Sequence, residues 1–352
     1  MTAFEVGRVR AVIIVANHPV HPQGVERPHP ERTALVEARG ALLYWDVLDR
    51  NAHPSAEIHN EQLAADWLWE IYGPEAADAI LDASGPIDTD WDAPVLDAAR
   101  RLAYLRWAEA WWPSSHAAGV PALDTGLLRA EAAWRTAGIE HLLDDEEAVE
   151  RALRETDMTA VEAAADHPDI DAAPLAEALE HLAEDYGVEL RRETVRLRRE
   201  DWALAAGGTA ADAPVLASGG APVDWAMVPQ GLVDAADGAS WELHQGPGGL
   251  RVTVTVPAAP ETRDFRLTAQ IGGVEIDLRL DPGTGTFTGE AEAPQAFLLL
   301  PADRRVLHVF SPDFTTGDVT NDPRLAPHRA AIIEFARERL DDPEASLAER
   351  AA

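Results

Sequence analysis

The sequence predicts a multidomain α+β chain: a mostly α-helical N-terminal domain, an antiparallel β-sandwich-like domain and a C-terminal helix. Three observations predict it. With 352 residues and 46% hydrophobic content, the chain can bury two cores. From Thr33 to about Tyr186, Ala, Leu, Glu and Arg dominate, residues that lose little side-chain freedom in a helix. From Val223 onward, short runs of alternating apolar and polar residues are divided by Gly and Pro, which is the pattern of half-buried strands. The expected boundaries are 1–186 for the helical domain with one N-terminal strand and 187–222 for a connecting segment, partly strand. The sandwich-like domain takes 223–326, and the closing helix and tail take 327–352.

Taken in order, RVRAVIIVA at 8–16 is short, apolar and β-branched, and reads as one strand. The stretch NHPVHPQGVERPHPER at 17–32 reads as an irregular loop, because its prolines fix φ and remove donors. Helices are expected near 31–50, 60–72, 75–83, 93–112, 124–143, 145–156 and 172–186, with turn signals at Gly73-Pro74, Gly85-Pro86 and Trp112-Pro113. For the 124–143 helix, Leu123, Leu127, Ala130, Trp134 and Leu142 fall near one face, and Asp124 is a good N-cap.

The stretch GVELRRETVRLRRE at 187–200 reads as a strand pair or a bulged strand, since its apolar parity switches between Leu190 and Val195. Residues 203–222, rich in Ala, Gly and Pro, read as a linker. Strands follow at 240–244, 250–256, 265–271 and 274–280, around Phe287, and near 295–300 and 304–310; a helix follows at 327–340.

The composition excludes whole classes of chemistry. All 29 basic side chains are arginine, and there is neither lysine nor cysteine. This rules out a P-loop lysine, a lysine Schiff base, a thiolate nucleophile and cysteine-bound zinc. No cofactor is indicated. The net charge of −33 repels phosphate backbones and anionic membranes, so neither nucleic acid nor membrane is an expected partner. The charge, with the Ala, Arg, Gly and Pro bias, fits a soluble protein of a high-GC bacterium. No secretory signal is visible and no run approaches the ~20 apolar residues of a membrane span, so the expected compartment is the cytoplasm.

Several groups of residues could carry chemistry. His18, His21 and His29 lie in the proline-rich loop, and Glu26 or Glu31 could complete a metal site, though the spacing matches no established metal signature. In the helix ending near Trp112, Arg106 and Glu109 share a face with Trp107 and Trp111; this reads as an internal ion pair or as an arginine that grips a small anion. Ser114, Ser115 and His116 follow that helix without a G-x-S-x-G elbow. Asp88, Asp90 and Asp92 are spaced like a calcium loop, but Ala93 and Ala99 stand where an EF-hand needs Gly and Glu.

Two blocks, LRWAEAWWPSSHAAGVPALD at 105–124 and VDWAMVPQGLVDAADGASWEL at 223–243, resemble uncharacterised accessory proteins of high-GC bacteria. Such proteins accompany a MoxR-type AAA+ ATPase and a von Willebrand A protein in multi-component, conflict-type systems. Neither block is a catalytic motif, so the resemblance implies an adaptor and carries no site residues. The expected function is therefore a non-enzymatic interaction component with a protein partner, the ATPase or von Willebrand A protein being the one implied. The alternatives are a metal-dependent or acid–base enzyme using His18 and His21, and an anion binder using Arg106.

Overall fold

The computed structural model describes residues 2–17, 28–49, 51–83, 85–166, 170–192, 214–246, 248–315 and 325–352. The chain forms two compact units. One comprises Met1–Trp111, Leu123–Val195 and Asp342–Ala352; the other comprises Trp112–Ala122 and Arg196–Asp341. The chain thus passes from one unit to the other four times.

The N-terminal region of the first unit is strand-rich, which corrects the expected helical domain with a single strand. Its strands are β1 (Thr2–Val9), β2 (Val12–Ala16), β3 (Thr33–Ala38), β4 (Ala41–Asp46), β5 (Ser55–Ile58) and β6 (Ile87–Thr89). They form one antiparallel sheet in the order β3-β4-β5-β2-β1-β6. The single strand expected at 8–16 is a hairpin, Val9 pairing with Val12 around Arg10 at φ 57°.

The helix expected at 31–50 is the β3–β4 hairpin. Its Ala, Leu and Glu favour a helix, but burial alternates along β3, with Ala34, Val36 and Ala38 inside and Leu35 and Glu37 outside. Pairing with β4 outweighs a propensity of a few tenths of a kcal/mol per residue. Gly40 makes the turn at φ 77°, and a Cβ there would lie 2.5 Å from the Asn60 carbonyl oxygen. The Gly40 carbonyl in turn accepts from the amides of His59 and Asn60, each at 2.9 Å.

Three helices of this unit lie between β5 and β6, α1 (Glu61–Ala65), α2 (Leu68–Tyr72) and α3 (Pro74–Leu81), and five follow β6: α4 (Pro94–Trp111), α5 (Thr125–Gly138), α6 (Ala148–Glu155), α7 (Met158–Ala165) and α8 (Ala173–Tyr186). Helix α4 packs against β3 and β4, and α5 packs on α4. Asp124 caps α5, accepting from the amides of Gly126 and Leu127. Ile13, Val36, Leu43, Ile58, Leu68 and Ile71 form much of the core. His53, 5% exposed, stacks on Tyr72 with centroids 6.3 Å apart and meets the edge of Phe4. Further on, a short C-terminal helix (Leu347–Ala351) begins at Ser346 with a capping box to Glu349. The Leu347 amide donates to the Glu131 carboxylate at 2.9 Å, and Tyr104 donates to Glu349.

The second unit is built on β7 (Val215–Ala221), β8 (Ala239–Gly246), β9 (Gly249–Pro257), β10 (Leu267–Ile271), β11 (Val274–Asp281), β12 (Thr286–Ala293) and β13 (Leu307–Phe310), followed by α9 (Leu325–Leu340). These strands form one antiparallel sheet in the order β13-β10-β11-β12-β9-β8-β7. The expected two-sheet sandwich is therefore corrected to a single sheet curled into a half-barrel. Strand β13 approaches β8 and β7 across the interior without pairing with them. Alternation along β9, with Val252, Val254 and Val256 buried, reveals a covered face but not what covers it. Here the twist of seven strands lets the sheet cover itself.

Residues expected as a strand near 295–300 are instead a 3₁₀ turn, Gln295–Leu299. Its Phe297 is fully buried, edge-on to Trp241 at 5.9 Å. The end of the expected linker is strand β7. Of the expected strand pair at 187–200, Arg191 makes an isolated bridge to Asp157, and residues 193–200 lie outside the described residues.

Candidate functional site

The two sequence blocks singled out above meet in the second unit. After Trp112 the chain makes a tight excursion in which Ser115 and Val120 exchange both backbone hydrogen bonds, at 2.7 and 2.9 Å. The Trp112 indole donates to the Pro121 carbonyl at 2.9 Å. From the other block, Asp234 enters this excursion. Its Oδ1 accepts from the Ser115 hydroxyl at 2.6 Å and from the amides of Ala236 and Asp237 at 3.0 Å each. Its Oδ2 accepts from the amides of His116 at 2.7 Å and Ala117 at 3.2 Å. Asp234 is 3% exposed and Ser115 1%. Five donors satisfy the buried carboxylate, as burial of such a group requires.

Ser115, His116 and Asp234 are the residue types of a hydrolytic triad, but the connection is wrong for one. Catalysis needs the imidazole between hydroxyl and carboxylate, taking the serine proton. Here the hydroxyl donates to the carboxylate directly and accepts from the Ala118 amide at 2.9 Å. His116 contributes its backbone amide, and its side chain is exposed. The arrangement is a pin that fastens residues 112–122 to the half-barrel. Sequence reasoning missed Asp234. The run Asp234-Ala235-Ala236-Asp237-Gly238 carries the one available signal, an aspartate accepting from amides two and three residues on.

Beside the pin lies a cleft of about 240 Å³, walled by Pro222, Trp225, Asp234, Asp237, Gly238 and Arg329. Arg329, 7% exposed, comes from α9 and donates to the Val223 carbonyl and to Asp224, both at 2.7 Å, with its guanidinium 5.2 Å from the Trp225 ring centre. Its charge is thus matched by Asp224, and the exposed carboxylate of Asp237 leaves the cleft with a negative rim.

The chain matches no protein-family profile, no curated protein and no solved structure.

The sequence-predicted residues fall elsewhere. On α4, Trp107 is a core residue, 2% exposed, whose indole donates to the Glu31 carbonyl at 2.8 Å. Trp111 is half-buried. Glu109 does not pair with Arg106; it is held by Arg129 of α5 at 2.7 Å. Arg106 is an exposed residue whose guanidinium end is crowded. Desolvation lowers its pKa below the ordinary guanidinium value, against the opposing pull of Glu37 and Glu109. Carboxylates around an arginine compete with any added anion.

His18, His21 and Glu26 lie outside the described residues. His29 sits with Nδ1 3.7 Å from the fully buried Glu31 carboxylate. Among the described residues, no group of three His, Asp or Glu is placed to hold a metal, and no helix is long and apolar enough to cross a membrane.

Exposed large apolar side chains occur singly at Leu35, Trp69, Trp134 and Phe314, and together on strand β7 and on the turn after β12. Strand β7 ends the sheet, pairing with β8 from Val215↔His244 to Ala221↔Ala239, and is exposed along most of its length. Val215 and Leu216 are 51% and 43% exposed. On the turn anchored by Phe297, Leu298 and Leu299 point out, Leu299 being 85% exposed. Beneath them, in the core, Gly219 of β7 lies against the buried Trp241 indole, which meets the buried Phe297.

Proposed function

We propose that this chain is a non-enzymatic, cytoplasmic interaction component, an adaptor in a multi-protein bacterial system whose partner is a protein. The observation that carries the reading is strand β7. In a chain of net charge −33, the seven residues VLASGGA form an exposed sheet edge without a single charge. Natural proteins usually blunt such edges with charges or proline, because unpaired backbone groups recruit another strand. The outward Leu298 and Leu299 add exposed apolar area of the kind that anchors an interface. Resemblance of the two blocks to accessory proteins makes a MoxR-type ATPase and a von Willebrand A protein the first partners to test.

The test is a tagged pull-down from the source organism, read by mass spectrometry. Wild-type chain is compared with the double variant Leu298→Asp, Leu299→Asp, whose folding is checked by thermal unfolding. A stoichiometric protein recovered with the wild type and depleted at least tenfold with the variant supports the reading. Recovery of the chain alone, or equal recovery with both, overturns it.

A further inference from the structure

We infer that β7 takes up an extended, arginine- or lysine-bearing segment of a partner as an additional strand of the half-barrel. This rests on the adaptor reading and adds to it the chemistry and the conformation of the occupant.

The backbone argument comes first. On one side β7 is paired with β8 from Val215 to Ala221; among the described residues no strand pairs with its other side, β13 coming near β7 without pairing. An edge of this kind offers main-chain donors and acceptors to an extended peptide. The one irregularity is a register shift between Val215 and Ala217, which leaves Leu216 as a bulge at the start of the strand and the ladder regular from Ala217 to Ala221.

The side-chain argument fixes the charge. Residues facing each other across a ladder share one face of the sheet. Gly219 is opposite Trp241, on the buried face, and a Cβ there would lie 2.8 Å from the indole nitrogen. Ser218 and Gly220 are opposite Glu242 and Ser240, on the exposed face. With so little side chain on β7, a long side chain from the next strand can lie flat across it. Two strand spacings, ~9.5 Å, bring that strand within reach of Glu242 for an arginine or lysine. Past Ala221 the chain enters the cleft at Pro222, where Asp237 supplies a second carboxylate. No residue of β7 is basic, and although Glu242 also lies 3.2 Å from His244 Nε2, the two carboxylates Glu242 and Asp237 favour a cationic segment over an acidic one. The same charge disfavours a second copy of the chain, which would bring −33 against −33.

The test uses the full chain and three synthetic nine-residue peptides, read by fluorescence anisotropy at low salt. One alternates Arg with Val and Thr. The second has Glu for each Arg. The third is the Arg peptide N-methylated at alternate residues along one edge, which keeps the charge and removes strand pairing. The expected result is measurable binding of the Arg peptide, with at least tenfold weaker binding of both others. Ser218→Arg, an exposed substitution that places a cation beside Glu242, should weaken the Arg peptide at least tenfold while leaving thermal unfolding unchanged.

Equal binding of the N-methylated peptide overturns the inference in favour of diffuse charge attraction. So does an affinity unchanged within twofold in Ser218→Arg, or no binding of the Arg peptide. A concentration-dependent dimer that Ser218→Arg abolishes also overturns it, the occupant then being a second copy. Any of these results alongside a stoichiometric partner in the pull-down defeats the inference alone; a failed pull-down defeats the adaptor reading itself.

Discussion

Asp234 and Glu131 each hold a stretch of chain that arrives from far away in sequence, and they do it differently. Asp234 in the half-barrel unit is surrounded by five neutral donors, four of them backbone amides. Glu131 in the other unit accepts from the amides of Leu347 and Ala348 and lies near the carboxylate of Glu349. Burial raises the Glu131 pKa above its ordinary value; the two amides oppose that shift and Glu349 adds to it. Burying a carboxylate is therefore no measure of its contribution. What decides is whether the donors around it replace the water it lost.

The comparison predicts unequal results for matching amide substitutions. Asp234→Asn turns one acceptor into a donor facing donors, and should cost about 3 kcal/mol, read as a lower denaturant midpoint at unchanged slope. A loss under about 1 kcal/mol would mean that the pin rearranges at little cost. Ser115→Ala removes one of the five donors and leaves Asp234 with four amides, so a smaller loss of about 1–2 kcal/mol is expected in the same measurement.

His53 extends the comparison to a cationic acid. Desolvation lowers its pKa below the ordinary 6.5, against a hydrogen bond to the Trp91 backbone and the carboxylates of Asp90 and Asp92. As pH falls, the unfolded chain takes up this proton before the folded one. The contribution of neutral His53 is therefore complete above the unfolded value near 6.5 and is lost progressively as pH falls toward the folded one. Subtracting the pH–stability curve of His53→Phe should leave a component that falls on the acid side. A flat difference would mean that burial does not disfavour the imidazolium.

The smallest effect is expected at Glu131. Glu131→Gln keeps an acceptor for the Leu347 amide and removes a poorly solvated charge, so stability at neutral pH should change by about 0.5 kcal/mol or less. The sign with pH is opposite to that of His53. A raised folded pKa means that the Glu131 contribution is fully present below its unfolded value near 4.5 and is lost as pH rises through the folded value. Loss of more than about 2 kcal/mol in Glu131→Gln would erase the distinction between the two carboxylates.

Much of this was legible locally and little of it globally. Helices α4, α5, α8 and α9 lie close to the segments read from their composition and caps, and β8, β9, β10 and β11 follow the alternation of their apolar residues. The β3–β4 hairpin was not legible, because Ala34, Leu35, Glu37 and Leu42 are good helix formers and only the turn glycine argued otherwise. Strand β7 looked like a linker for a related reason, its small residues suiting an edge as well as a loop. The candidate site was half legible. Both blocks stood out, as did Ser115, but the pairing of Ser115 with Asp234 depends on tertiary contact between residues 119 apart, for which a single sequence has no marker.

The four crossings between units set an order on synthesis. A ribosome adding ~5–20 residues per second releases Ser115 some 6–24 s before Asp234 exists. Glu131 waits for Leu347, 216 residues later, or ~10–40 s. The half-barrel unit, though it starts later in the chain, has all its residues up to Asp341 made before the other unit acquires Leu347. Until then the unit that began first still has a carboxylate and a hydrophobic seat waiting for their helix.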